Sequence, residues 1–276
     1  GEGSYLGSLG NAYAALGEAR RAISCYEPAL TIAREIGDRR GEGAHLNNLG
    51  LAYADLGEAK RAIEHYDHAL DIAREIGDRR AEGSHLGNLG IAYVAMGEVR
   101  RAIEYYKRAL RIVRETSAAS PQGSAEWTAA RQAEGNRLGN LGTAYAALGE
   151  EQRAIEYYEQ ALAVAREIGD RRNEKVLLGN LGLAYADLGD ILQAIEYHEG
   201  ALNISREIGD RAAEGNHLNN LGIAYRDLGD AQRAIEYHEQ GLEIARELGD
   251  RRGEGAHLSN LGLDYATLGE PWRAVE

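Results

Sequence analysis

The sequence predicts an all-α solenoid, a fold of stacked helical hairpins, and two observations carry that prediction. The first is a phrase, NLGLAYADLG at residues 48–57, that returns with small changes along the whole chain. Its first glycine falls at Gly10, Gly50, Gly90, Gly142, Gly182, Gly222 and Gly262, at intervals of 40 residues with a single interval of 52. The second is that apolar residues within each copy recur every three or four positions, and strand patterns are absent. A fixed repeat of this length is typical of a solenoid.

Composition and charge limit the classes of partner. The chain has 31 basic and 44 acidic residues, and the resulting charge of −13 argues against nucleic acid and against an anionic membrane surface. No apolar run approaches the roughly 18 residues that a membrane span needs. The single cysteine, Cys25, excludes an intrachain disulfide and fits a reducing compartment, so we expect a cytoplasmic location.

Residues 38–77 illustrate both helices of one copy. Leu46, Leu49 and Tyr53 lie on one face of a first helix, which we call helix A and which Gly57 is expected to end. Helix B then carries an apolar stripe that contains Ala62, Tyr66, Ala69 and Ala73, and it is expected to end at Gly77. Asp78 is placed to cap the next helix A. Gly50 and Ala62 are small, so the two backbones can approach closely, and the Glu and Arg residues of helix B are expected to form a solvated face.

Seven positions of this copy resemble the signature of the tetratricopeptide repeat: Leu46, Gly50, Tyr53, Gly57, Ala62, Tyr66 and Ala69. The resemblance covers residues 1–276 as a single array of six full repeats and a partial seventh. The 40-residue form is similar to the repeats of Pins-type adaptors and of bacterial signalling regulators. It implies a right-handed superhelix whose A helices line a concave groove, and a protein or peptide partner bound there without catalysis. The chain begins with Gly1 and stops within a helix B, so we expect a piece of a longer protein.

Three places depart from the repeat. Pro28 lies inside a helix B and is expected to kink it, since proline removes a hydrogen bond. The long interval places 12 extra residues at 116–127, which we expect to form a loop, inert or ligand-binding, with Trp127 at the start of an early helical turn. Ile191 and Leu192 replace a polar pair, and either form a small exposed patch or pack locally.

The groove predicted by the resemblance contains a column of asparagines. An amide both donates and accepts, so these side chains can hold a peptide backbone or can bridge adjacent helices, and both roles stay open. Arg226 is the only cation expected on this face. An acidic position beside it favours a peptide with Lys or Arg. The candidate peptide-binding residues are Asn47, Asn48, Asp55, Asn88, Asn140, Asn180, Asp187, Asn219, Asn220, Arg226, Asp227 and Asn260.

Other chemistry finds little support in the sequence. His65 and His68 are one helical turn apart and could form only an adventitious two-ligand site, since a structural zinc takes four ligands. We therefore expect no metal, no cofactor and no enzymatic activity. The alternative to groove binding is a sensor or self-assembly segment of a larger signalling regulator, which acts through its ends or convex surface and can stack end to end.

Overall fold

The computed structural model describes residues 1–118 and 120–274, and within them the chain is all α-helical without strands, so the predicted fold class is confirmed. The helices of this part are α1 (Glu2–Ala15), α2 (Ala19–Glu35), α3 (Arg39–Asp55), α4 (Ala59–Glu75), α5 (Arg79–Ala95), α6 (Val99–Ala118), α7 (Ala125–Ala146), α8 (Glu151–Ile168), α9 (Arg171–Asp187), α10 (Ile191–Glu207), α11 (Arg211–Asp227), α12 (Ala231–Leu248) and α13 (Arg251–Leu268), followed by a 3₁₀ turn at Pro271–Ala274. Odd-numbered helices are the A helices, and even-numbered helices are the B helices.

Helices that follow one another within α1 to α7 and within α8 to α13 pack against one another, which is the stacking expected of a solenoid. The chain divides into two compact units, Gly1–Leu148 and Gly149–Glu276. The first unit holds α1 to α7 and the second holds α8 to α13, and each is described by itself below.

Caps and turns begin and end the helices where the sequence predicts. Asp78 accepts a hydrogen bond at 3.0 Å from the backbone N–H of Ala81 and so caps α5. Gly57 and Gly77 lie just beyond the ends of α3 and α4, with φ of +76° and +69°, a left-handed conformation that glycine adopts without strain. Each copy is therefore a helix A, a tight turn, a helix B and a short link.

The contact between the two helices of a hairpin is an aromatic ring against a glycine. The Tyr66 ring lies against Gly50, in the space that a Cβ on this residue would need, and Ala62 on the same helix B is fully buried. Tyr26 and Gly10, and Tyr106 and Gly90, repeat the arrangement. Close approach at Gly50 and Ala62 is therefore confirmed, and the side chain that fills the gap at this glycine is Tyr66.

Charged residues of the B helices such as Arg34 and Glu75 are exposed, as predicted, and they also pair with residues of neighbouring A helices. Glu42 of α3 is only 7% exposed and accepts from Arg34 Nε of α2 at 2.8 Å and from Arg39 Nη1 at 2.5 Å. Arg39 also pairs with Glu75 of α4. Burial alone would raise the pKa of Glu42, but the two guanidinium hydrogen bonds outweigh it and the pKa is lowered. Equivalent clusters surround Glu82, Glu134, Glu174 and Glu214.

The three departures behave differently. The helix α2 continues through Pro28 over its 17 residues. Helices take up six residues of 116–127, because α6 runs to Ala118 and α7 begins at Ala125. Ser124 Oγ accepts from the backbone N–H of Trp127 at 3.1 Å and so caps α7. The predicted early turn at Trp127 is confirmed, and the predicted loop is shorter than expected; Ala119 lies outside the described residues. Ile191 packs against a core cluster, whereas Leu192 is 66% exposed.

None of the helices in residues 1–118 and 120–274 combines the length and the apolar character that crossing a membrane requires.

Candidate functional site

The candidate site is the A-helix surface, defined as the face of the A helices that carries Asn47 and Asn48 and their equivalents in the other copies. The opposite face, with Leu46 and Leu49, is buried in the hairpin core. The A helices α3, α5, α9, α11 and α13 each begin after a capping aspartate and keep the same register, so equivalent side chains recur at the same place in each of these copies.

Asparagines on this surface pair across neighbouring A helices. In the first unit, Asn48 Nδ2 donates to Asn11 Oδ1 at 3.1 Å, and Asn88 Nδ2 donates to Asn47 Oδ1 at 2.9 Å. In the second unit, Asn260 Nδ2 donates to Asn219 Oδ1 at 2.9 Å. The bridging role that the sequence left open is therefore present for these pairs, and a role in holding a peptide stays a prediction. Asn140, Asn180 and Asn220 occupy equivalent positions and are half-buried.

Arg226 belongs to an internal network of the second unit. Its side chain is 20% exposed, and its Nη1 lies 3.2 Å from Asp264 Oδ1 and 3.4 Å from Asn260 Oδ1. Asp264 is fully buried, and its Oδ2 lies 2.5 Å from Nδ1 of the equally buried His238. The other nitrogen of His238 lies 3.3 Å from the backbone carbonyl oxygen of Asn219.

Asp264 and His238 are absent from the residues chosen on sequence grounds, although a signal for both exists. Asp264 stands where the other copies have Ala52, Ala92, Ala144, Ala184 and Ala224, and His238 stands where most have tyrosine. Two departures at residues in contact, one in α12 and one in the following α13, indicate that the residues compensate each other. Asp264 is thus the counter-ion of Arg226 in this network.

The acidic candidates lie at the edge of the surface. Asp55, Asp187 and Asp227 are the last residues of α3, α9 and α11, and all three are exposed. The pKa of Glu151 is raised, first by burial and then by the nearby charge of Asp187. These carboxylates are open to a cationic partner, but they are next to the hairpin turns rather than between the asparagine pairs.

Three clefts open on the A-helix surface of the first unit, each between two successive A helices and the B helix that joins them. The first cleft, of about 670 Å³, lies among α1, α2 and α3; the second, of about 250 Å³, lies among α3, α4 and α5; the third, of about 230 Å³, lies among α5, α6 and α7. Apolar side chains such as Ile32, Ile72 and Ile112 form their floors. The asparagine pairs lie beside the first two clefts.

One column of side chains borders these clefts, and each member covers a residue of the preceding A helix. His45 lies against Gly7, with the ring Cε1 2.7 Å from the position of an added Cβ. His85 Nδ1 lies 3.0 Å from Asn47 Oδ1, and burial lowers its pKa. In the next copy Arg137 takes this place, with its guanidinium over Gly87. Arg137 is thus a second cation on this face, where the sequence predicts Arg226 alone.

The described residues contain no group of three or more His, Cys, Asp or Glu side chains placed to hold a metal ion. His65, named as half of an adventitious pair, stacks on the Tyr53 ring with the ring centroids 5.2 Å apart.

Comparison with known proteins places this repeat geometry in a family. The sequence profile of the tetratricopeptide repeat matches residues 2–75, 41–115, 133–207, 174–247 and 214–276. The chain belongs to the tetratricopeptide repeat family. The resemblance drawn from Leu46, Gly50 and Tyr53 is thereby confirmed. A search of curated protein sequences gave no match.

Solved structures with the same repeats share the fold at low identity. A Signal Transduction ATPase with Numerous Domains (STAND) protein with a tetratricopeptide repeat sensor, from Pyrococcus horikoshii, is similar with a TM-score of 0.83 and 20% identity over 98% of this chain. This chain covers only 39% of that protein. BtubC from P. vanneervenii has a TM-score of 0.71 and 23% identity, over 84% of this chain and 92% of BtubC. The apo form of the quorum sensor NprR from B. thuringiensis has a TM-score of 0.67 and 17% identity, over 98% of this chain and 72% of NprR.

Proposed function

We propose that this tetratricopeptide repeat chain is a non-catalytic binding module that holds a peptide segment of a protein partner against the A-helix surface of its first unit. The observation that carries the proposal is the series of three apolar-floored clefts in Gly1–Leu148, spaced one repeat apart and bordered by paired amides. Apolar clefts at a regular spacing suit successive side chains of an extended or helical peptide.

The polar groups between the clefts suit the peptide backbone. Asn48 and Asn88 each use an Nδ2 hydrogen toward the preceding A helix, and each amide has a second Nδ2 hydrogen and an oxygen. Amides fixed in this way are preorganised, which lowers the entropy lost on binding. Sensor and quorum-sensor proteins among the structural relatives support a recognition role for the same fold.

The acidic edge favours a partner with a basic residue. Asp55 is exposed at the end of α3, which is one of the three helices of the second cleft. The chain as a whole carries a charge of −13. A Lys or Arg of the peptide placed opposite Asp55 would gain from both the contact and the long-range field.

The test uses a displayed library of random peptides, selected on the whole chain, with affinities then measured by fluorescence anisotropy. Ala44 is exposed and lines both the first and second clefts, so Ala44→Trp should fill them and weaken binding at least about tenfold, or by about 1.4 kcal/mol. Ala163→Trp, at an exposed position of the B helix α8, is the matched control and should bind as the wild type does. A library that yields no specific peptide, or peptides that Ala44→Trp binds unchanged, would refute the proposal.

Self-association through the ends is the other expectation from the sequence, and it stays a prediction. The helix α13 exposes Leu258 at 46% and Leu263 at 54%. Sedimentation velocity over a roughly hundredfold range of concentration checks it: a sedimentation coefficient that stays constant would count against assembly.

A further inference from the structure

The third cleft differs from the second in its charges. Both lie at equivalent positions of the first unit, one repeat apart, and both have isoleucine floors. The second cleft contains Arg40, Asp78 and His85, so its lining includes an acid. The third cleft contains Arg79, Arg80 and Arg137, and the described residues that line it include no acid.

The missing acid results from the long interval between repeats. In the second cleft, Arg40 Nη2 lies 3.5 Å from Asp78 Oδ2, the carboxylate that caps α5. The residue 52 positions after Asp78, and so its equivalent in the next repeat, is Ala130. The helix α7 begins earlier, at Ala125, and is capped by Ser124 instead. Arg80, the equivalent of Arg40, therefore faces a buried alanine where an aspartate would be. The cap moved and its charge was lost.

Arg137 has no counter-ion within the described residues either. Its Nε is inaccessible to solvent and has no hydrogen-bond partner in the described part of the chain. Burial lowers the pKa of its guanidinium. The glutamates of the repeat network in these helices pair with other arginines: Glu82 accepts from Arg74 and Arg79, and Glu134 accepts from Arg114 and Arg131.

We propose that the third cleft binds the carboxylate of a glutamate or aspartate side chain that belongs to the bound peptide. A planar guanidinium pairs with a carboxylate through two parallel hydrogen bonds, and Arg80 and Arg137 border the same cavity. Ile112 and Val113 at the floor are apolar and suit the methylene groups of the same side chain. The volume of about 230 Å³ accommodates one side chain rather than a nucleotide. The peptide source of the carboxylate rests on the proposed function, whereas binding of a free carboxylate does not.

The first experiment tests the cleft alone. Nitrogen-15 NMR follows the Nε–Hε signals of the arginines in the whole chain while sodium butyrate, a stand-in for the glutamate side chain, replaces chloride at constant ionic strength. We expect the Arg137 signal, identified by its loss in Arg137→Lys, to move and saturate. Inorganic phosphate is titrated in parallel.

Three variants sharpen the result. Ala130→Asp restores the acid of the other repeats and should abolish the butyrate response by neutralising the cleft from within. Arg80→Ala, at an exposed position, should weaken the response severalfold and covers the case in which Ala130→Asp fails to fold. Arg40→Ala, in the second cleft, is the matched control and should leave the response unchanged. Absence of a saturable shift, an equal shift in Arg80→Ala, or a response to phosphate without one to butyrate would overturn the proposal.

The second experiment separates this inference from the proposed function. A selected peptide with a blocked C-terminus is compared with its Glu→Gln variants, and one replacement should lower the affinity of the wild-type chain about tenfold. The same replacement should have no effect on the Arg137→Gln chain. Peptides that bind the A-helix surface with no dependence on any carboxylate would refute the acidic-residue proposal and leave the proposed function standing. Saturable butyrate binding without any selected peptide would do the reverse.

Discussion

Asp264→Ala tests whether the buried network of the second unit stabilises the last A helix. Asp264 has 0% exposure and accepts from His238, also at 0%, and from Arg226, whose side chain is 20% exposed. Removal of the carboxylate leaves Nδ1 of His238 buried without a hydrogen-bond partner and Arg226 without its counter-ion. Breaking a buried pair in this way costs roughly 3–5 kcal/mol, and because water reaches Arg226 we expect the lower end, about 3 kcal/mol.

The compensating change is available in the chain itself. Other B helices have tyrosine at the position of His238, as in Tyr66 and Tyr106, and the A helices that follow them have alanine at the position of Asp264. The double variant His238→Tyr with Asp264→Ala therefore restores the arrangement of those copies and should lie within about 1 kcal/mol of the wild type. The double variant should therefore be more stable than Asp264→Ala by about 2 kcal/mol or more.

Urea unfolding at neutral pH measures the free energies, and amide hydrogen exchange locates the effect. Since Asp264 joins α13 to α12, the single variant should open α13 first, and about 3 kcal/mol corresponds to exchange that is roughly 150-fold faster there. The reasoning is wrong if Asp264→Ala costs less than about 1 kcal/mol, or if the double variant is less stable than the single one.

Three further predictions follow from other contacts. Gly90→Ala should destabilise the chain by about 1–3 kcal/mol, because the new methyl group overlaps the Tyr106 ring. Gly255→Ala, with open space around it, should instead stabilise α13 by up to about 1 kcal/mol. Thermal unfolding measures both effects, and a stabilised Gly90→Ala variant would contradict the packing. Burial lowers the pKa of His198 to about 4, so the unfolded chain binds more protons than the folded chain between pH 6.5 and 4. The free energy of unfolding should therefore fall as the pH falls through this window, by up to about 3 kcal/mol, and should fall less in His198→Tyr. Equal pH dependence of the unfolding free energy in the two chains, measured with urea, would contradict this. Asn47→Ala removes the acceptor of Asn88 Nδ2 and the partner of the buried His85 ring, so it should lower the free energy of unfolding by about 1–3 kcal/mol. Asn203→Ala, at an exposed site, is the control and should leave the stability unchanged. Identical unfolding midpoints for the two variants would exclude a stabilising role of the amide pair.

The fold could be predicted from the sequence because the same physical requirement recurs in every copy. Gly50 with Tyr66, and Gly57 at the end of a helix, each have several equivalents, so one misleading residue in a copy does not hide the pattern. The charged residues were harder to place. Spacing within a helix suggests partners one turn away, but Arg39 pairs with Glu75 of another helix, 36 residues on, and such a contact depends on how the hairpins stack.

The candidate site could be predicted only in part for a related reason. The asparagine column identifies the face, but register alone leaves open whether an amide points to a peptide or to the neighbouring helix, and Asn48 and Asn88 do the latter with one hydrogen. Arg226 looks free in the sequence because Asp264 lies 38 residues away. Arg137 was overlooked although a signal existed: a histidine column changes to arginine in the one repeat where Ala130 breaks the aspartate column.

Asp78 shows how this chain can acquire a new specificity through its length rather than through its composition. One carboxylate starts its own helix, through the backbone N–H of Ala81, and neutralises Arg40 of the preceding repeat. Asp210 does the same for the backbone of Ala213 and for Lys175. The helix cap and the charge balance thus depend on a single residue. Lengthening the junction before Asp78 or Asp210 by about a dozen residues would therefore leave Arg40 or Lys175 without its counter-ion. Extra residues at a junction are then a simple evolutionary route from a uniform repeat to one with a preference for acidic ligands.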